Sequence, residues 1–248
     1  MSDTQFDDEI LDSNAISPTD EEGNPVPVTI PIALAPGVTV VYTTRLGGVS
    51  HGDFGDCNLG GKGGDDPQAI LANRVSLVKS VGCGLSLVSQ VHSGRAVDVD
   101  ASWHLNTPFG FDVSGTPGEV TADGEAQAAT VVEADGQVTS RAGVALGMFA
   151  ADCLPVLMAD AQAGVIGAAH CGRKGLQRGI IGATIDAMVA KGAAPERIAA
   201  TLGPCICGDC YEVGDAIASE FDAQFPGTFT LTRFGGPCLL YTSDAADE

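Results

Sequence analysis

Three short apolar runs close together, Val144–Phe149, Leu154–Met158 and Val165–Ala169, constrain this chain more than any other feature. They are long enough for strands and too short for helices, and they do not alternate with polar residues. Such runs suit strands covered on both faces. Directly after the third, Leu176, Ile180, Ile181, Ile185 and Met188 recur at helical spacing, predicting a helix over 173–191 with one apolar stripe. Pro195-Glu-Arg197 then opens a short helix, Ala199–Leu202 reads as a strand, and a last helix is predicted over Glu212–Phe221. A helix with one apolar stripe must bury it, and strands are its nearest partners. The expected fold is therefore α/β: a layered α/β sandwich, a single domain with a mixed sheet. No period of 20–50 residues marks a repeat architecture.

Upstream, Val38–Thr44 is a β-branched strand, followed by turn-rich Leu46-Gly-Gly-Val-Ser50. Asp65-Asp66-Pro67 offers an N-cap and a proline at the first helical position, predicting a helix from Pro67 to Ser80. Short strands are expected over Leu85–Val91 and Ala96–Val99. The stretch 100–133 is polar, rich in Gly and Thr and without a period, and reads as a long excursion. Residues 1–27 are acidic and rich in Ser, Pro and Asn, so they are expected to be a disordered tail, with the folded domain spanning 28–237.

Charge excludes some partners. Against 12 Lys and Arg stand 32 Asp and Glu, a net charge of −20. Such a surface repels phosphate backbones and anionic membranes, so neither nucleic acid nor membrane is an expected partner. The acidic N-terminus lacks a basic-then-apolar leader, and no apolar run is long enough to span a bilayer. The chain is expected in the cytoplasm, where its eight cysteines would be reduced thiols or metal ligands rather than disulfides.

His92, Cys153 and His170 each adjoin a predicted strand end, where α/β sheets build their sites. They are too far apart in sequence for a zinc finger, so only the fold can assemble them. Two imidazoles and a thiolate would leave a tetrahedral zinc one open position, the catalytic arrangement. Spacing alone leaves a second reading standing, three ordinary packed side chains. Asp152 either orients a ligand or caps a turn. His51 and His104 lie in polar loops and are not read as ligands, and Cys57 and Cys83 read as buried thiols.

Basic residues are scarce, yet Arg173, Lys174 and Arg178 crowd the start of one predicted helix, against its dipole. Free N–H groups there attract anions, so a bound phosphate explains the cluster, as do solvated surface cations. Arg45, beside Gly47-Gly48, is a second candidate phosphate or substrate clamp. Cys205-x-Cys207-x-x-Cys210 looks like half a metal motif without its second half, and reads as a loop near the site.

Four segments carry a family likeness: Tyr42-Thr-Thr-Arg-Leu-Gly-Gly-Val-Ser50, Gln90-Val-His92, Ala151–Asp160 with Ala168-Ala-His-Cys-Gly172, and Leu202–Gly214. Together with Asn58-Leu-Gly60, Asp65-Asp-Pro67, Asn73-Arg74 and Ala134-Asp135, they resemble the laccase-domain family, described as multi-copper polyphenol oxidases and as purine nucleoside phosphorylases. The resemblance implies a zinc- or copper-binding site at His92, Cys153 and His170. It also implies activity on adenosine, inosine and methylthioadenosine with phosphate as co-substrate; some members are described as peptidoglycan editing factors. The sequence departs from the pattern at Arg173-Lys174, where the family has Trp and then Arg, and at Lys62-Gly63, where a histidine is expected. Residues 238–248 resemble a translated sequencing adapter, so the domain is expected to be truncated near Pro237 and Cys238–Glu248 to pack against nothing.

Three function classes follow. One is a zinc enzyme of purine nucleosides, cleaving the glycosidic bond with phosphate or deaminating the base. Another is a copper oxidase of phenols, for which four histidines are too few to hold several coppers. The third is a metal-free hydrolase with Cys153 as nucleophile and His170 as base.

Overall fold

The computed structural model describes residues 17–102, 119–120, 126–127, 132–231 and 235–239. In chain order the strands are β1 (Thr29–Ala35), β2 (Val38–Thr43), β3 (Gly84–Ser86), β4 (Ala96–Asp98), β5 (Glu119–Val120), β6 (Ala126–Gln127), β7 (Gly136–Thr139), β8 (Val144–Leu146), β9 (Leu154–Asp160), β10 (Val165–Cys171), β11 (Ala199–Leu202), β12 (Phe229–Leu231) and β13 (Pro237–Leu239). The helices are α1 (Pro67–Val81), α2 (Val99–Ser102), α3 (Arg173–Gln177), α4 (Ile180–Ala190) and α5 (Asp215–Gln224).

A five-stranded sheet in the order β11-β9-β10-β7-β4 forms the centre. Its pairs are antiparallel except β4 with β7, so the sheet is mixed, as expected for this α/β domain. The apolar runs at β9 and β10 are buried almost throughout. One main core gathers Val138, Val156, Met158, Val165, Ile180 and Met188, joining the sheet to α4. Two small residues set that approach. A Cβ at Gly167 would lie 2.7 Å from the Met188 sulfur, and one at Gly136 would lie 2.5 Å from Thr184 Oγ1. The parallel pair β3–β8 is tied to the central sheet by buried Gln137, whose amide takes the Ser86 hydroxyl (2.7 Å) and donates to the Gly147 carbonyl (2.9 Å).

Helix α1 begins as the sequence predicts: the Asp66 carboxylate accepts from the Gln68 N–H, with Pro67 next. The helix predicted over 173–191 instead breaks into α3 and α4 at Gly179, which adopts φ 74°. The last helix starts at Asp215 rather than Glu212, and the strand expected over Leu85–Val91 ends at Ser86. Residues 17–27 are not a disordered tail: Asp20 accepts from the N–H groups of Glu22 and Asn24, and Thr19 bridges Pro25. At the other end Cys238 and Leu239 pair by backbone with Thr230 and Phe229, so the expectation that nothing packs from Cys238 onward is corrected there. The rest of that segment, most of the 100–133 excursion, residues 1–16 and His104 lie outside the described residues.

Candidate metal centre

The three predicted ligands come together from three parts of the chain. His170 is the penultimate residue of β10 and is buried. Cys153 immediately precedes β9, and His92 sits in the loop before β4. The His92 and His170 rings meet edge to face at 4.8 Å, and the Cys153 sulfur lies 3.7 Å from His92 Nε2. All three ligand atoms lie within 4.8 Å of one another. Metal–ligand arms of about 2.0–2.3 Å put tetrahedral zinc ligands roughly 3.3–3.7 Å apart, a spacing that modest side-chain rotation reaches. His92 is exposed and His170 buried, so the cluster has one wet side and one dry side. Among the described residues this is the one group of three such ligand atoms. Cys205, Cys207 and Cys210 form no comparable cluster.

Asp135 builds the seat. Fully buried, it accepts from His170 Nδ1 (2.8 Å), the His92 N–H (2.9 Å), and both the N–H (2.5 Å) and hydroxyl (2.6 Å) of Ser93. Burial alone would raise its pKa, but these bonds hold its carboxyl well below the usual range. Its grip on Nδ1 leaves His170 Nε2 for a ligand, the arrangement of carboxylate, imidazole and metal found in zinc sites. In the protein alone, burial works to lower the His170 pKa, yet Asp135 and Cys153 raise it to about 9. His92 shifts the other way. Desolvation first, then His170, and further Lys174 and Arg178, outweigh Asp135 and favour its neutral, ligating form.

Among the described residues two non-glycine residues have left-handed backbones, His92 (φ 59°) and Asp152 (φ 71°), and both adjoin the cluster. This conformation costs about 1–2 kcal/mol. Hydrogen bonds to a charged group contribute about 1.5–3 kcal/mol each, so the Asp135 contacts outweigh the strain at His92. Arg178 holds the other side, its guanidinium donating to the His92 carbonyl. The α3–α4 break places it there, and the Arg178 carbonyl lies where a Cβ on Gly94 would be, 2.2 Å away. Gly172 matters for the same reason: a Cβ there would lie 2.7 Å from the Cys153 sulfur and 3.0 Å from His92 Cδ2.

The remaining predicted residues are arranged differently. Asp152 is exposed; its carbonyl accepts from the Ile206 N–H (3.0 Å), and among the described residues its carboxylate has no partner. The carboxylate hydrogen-bonded to His170 and to the His92 backbone is Asp135 rather than Asp152. Arg173 donates to Gln177 Oε1 (3.0 Å), and Lys174 is exposed. Their helix, α3, is too short to present the dipole expected of a long one. The Arg45 guanidinium lies against Gly55, with no ion pair among the described residues. Lys62 donates to the Gln90 carbonyl (3.1 Å), at the start of the His92 loop. Sequence reasoning missed the roles of Asp135 and Arg178. The one local sign was an acidic residue set between Ala134 and Gly136 at the mouth of a buried strand.

An α/β domain with a half-exposed His–Cys–His cluster and a carboxylate behind one imidazole defines a class, proteins with a candidate open metal site. Within it, residues 39–237 match the family described as "Multi-copper polyphenol oxidoreductase laccase", and the chain belongs to that family. It is 41% identical over 204 residues, covering 81% of this chain and 74% of the relative, to "Purine nucleoside phosphorylase ORF3" of Streptomyces griseus. It is 31% identical over 188 residues (75% and 66%) to "Adenosine deaminase RL5" from an unknown prokaryotic organism. Among solved structures, Neisseria meningitidis protein NMB0706 superposes with a TM-score of 0.70 at 28% identity, covering 88% of this chain and 81% of that one. These relatives support an enzyme of nucleoside metabolism.

Proposed function

We propose that the protein is a zinc-dependent purine nucleoside phosphorylase acting on adenosine, inosine and methylthioadenosine, with adenosine deamination as a second activity. The observation that carries this reading is the His92–Cys153–His170 cluster seated on Asp135, in a chain whose relatives bear those two names. Zinc held by these residues supplies a Lewis acid at the exposed side. In phosphorolysis a phosphate oxygen bonds to the ribose anomeric carbon, the bond to the purine nitrogen breaks, and the purine leaves with a proton. The chain's part is to hold the reactants, and Arg45, Arg173 and Lys174 are the cations assigned to phosphate. A His₂Cys set also suits copper, but the chain's four histidines leave too few for the several coppers of a phenol oxidase. Among the described residues no helix is long and apolar enough to cross a membrane. The reading places the enzyme and its small-molecule substrate in the cytoplasm.

Cys153→Ser tests the reading. It is expected to lower zinc content and phosphorolysis together, and zinc added after chelation should restore only the native enzyme. Loss of turnover with zinc content unchanged would instead make Cys153 a nucleophile with His170 as its base. Oxygen consumption on a phenol that scales with bound copper would favour the oxidase.

A further inference from the structure

The thiols outside the metal cluster divide by surroundings. Cys57 and Cys171 are buried, and desolvation pushes both up to about 11, which keeps them protonated and inert. Cys205 is half-buried against the main core, and Cys83 is half-buried after α1. Cys207 and Cys210 are both exposed, and they stand at the two ends of one turn. Cys207 is extended (φ −74°, ψ 156°) and leads into the 3₁₀ turn Gly208–Cys210. The Cys210 N–H donates to the Cys207 carbonyl at 3.1 Å, closing that turn. Residues joined in this way have Cα atoms less than about 7 Å apart. Disulfides bridge Cα separations of about 4.4–6.8 Å, so the turn holds the two backbones at a separation a disulfide can span.

We propose that Cys207 and Cys210 form a reversible dithiol–disulfide pair, oxidised by exchange with a low-molecular-weight disulfide of the glutathione type. One thiolate attacks the small disulfide, forming a mixed disulfide and releasing one thiol. The second cysteine, deprotonated, attacks the protein-side sulfur of that bond and expels the other. The pair loses two electrons and two protons, and one small disulfide becomes two thiols. The ring closed from 207 to 210 is too small to constrain the unfolded chain much, and exposed disulfides are the readily reduced ones. These properties suit a responsive bond rather than a structural one. The turn also adjoins the metal centre, because Ile206, next to Cys207, donates to the carbonyl of Asp152, next to Cys153. Oxidation therefore stiffens the loop that buttresses the Cys153 turn.

The test is equilibration of the full chain in glutathione buffers from reducing to oxidising, followed by alkylation, intact mass and peptide mapping. The expected result is a chain lighter by two hydrogens, with Cys207 and Cys210 protected together and freed together by dithiothreitol. Cys207→Ser should leave Cys210 as a mixed disulfide with glutathione and form no internal bridge. Three outcomes overturn the proposal: both thiols stay alkylatable at every poise, the two carry independent glutathione adducts in the native chain, or the bridge maps to Cys205 or Cys153. Because the readout is a covalent bond, its failure leaves the zinc reading untouched.

Discussion

His92 shows how much one residue depends on others distant in sequence. Its backbone is left-handed, its N–H is held by Asp135 and its carbonyl by Arg178, so the ligand's position is fixed by charges on both sides of the peptide. Asp135→Asn is expected to weaken zinc binding about 10- to 100-fold, the usual effect of removing a carboxylate behind a ligating histidine. Arg178→Met should cost less, since Arg178 is exposed and its side chain donates one hydrogen bond to the loop, at the His92 carbonyl. Competition against a chromophoric chelator measures both, and an Arg178→Met loss exceeding that of Asp135→Asn would contradict this order. Little of this was visible in the local sequence: Ala134-Asp135 stood among the motif segments, but without its role. His92, Cys153 and His170 were legible as candidates because the chemistry of a metal site restricts residue type, and the family likeness set them apart from ordinary packed side chains. A carboxylate that accepts hydrogen bonds from an imidazole and a distant loop looks like any other aspartate until the chain is folded.

Among the elements, the legible ones were those whose pattern is set by their own residues. Helix α1 carries its cap and proline, and β9 and β10 are apolar along their length, so both were predicted within a few residues. The α3–α4 break was not, because the apolar stripe runs through it; only the left-handed Gly179 and the demand on Arg178 stop the helix there. Strand β1 lay hidden too, since Pro31 and a mixed burial pattern obscure any alternation. One connection owes its shape to a single carboxylate. Asp160, buried at the end of β9, accepts from the N–H groups of Gln162, Ala163 and Ala194 and pairs with Arg197 at 2.8 Å, tying the β9–β10 turn to the segment before β11. The Arg197 hydrogen bond first, then the backbone of Ala194, lowers its pKa to about 2, below its ordinary value of 3.8. A depressed carboxylate contributes stability that is complete above pH 4 and fades as pH falls toward 2. Asp160→Asn should therefore lower the urea midpoint at pH 6, and the gap from the native chain should narrow by pH 2.5. A gap independent of pH would mean that packing, not the charge, sets the difference.

At the scale of the whole molecule a metal ion held as proposed would act as a clasp, since the three candidate ligands belong to the β3–β4 connection, the approach to β9 and the end of β10. A ligand that binds only the folded state stabilises all of it. Free zinc at 100 times its dissociation constant is expected to add about 2.7 kcal/mol. The melting temperature should rise with zinc and fall with chelator, and Cys153→Ser should flatten the response. A melting temperature indifferent to zinc in the native chain would place the ion elsewhere. The order in which the clasp is made follows from the hold on His92. Arg178 comes 86 residues later in the chain. At about 5–20 residues per second of synthesis, the earliest ligand waits roughly 4–17 s for the last group that fixes it. Asp135, 43 residues after His92, is already made by the middle of that interval, but the hold on the His92 carbonyl is not. The proposed clasp therefore closes late, and a chain stalled on the ribosome before Arg178 is expected to hold zinc more weakly than the finished protein.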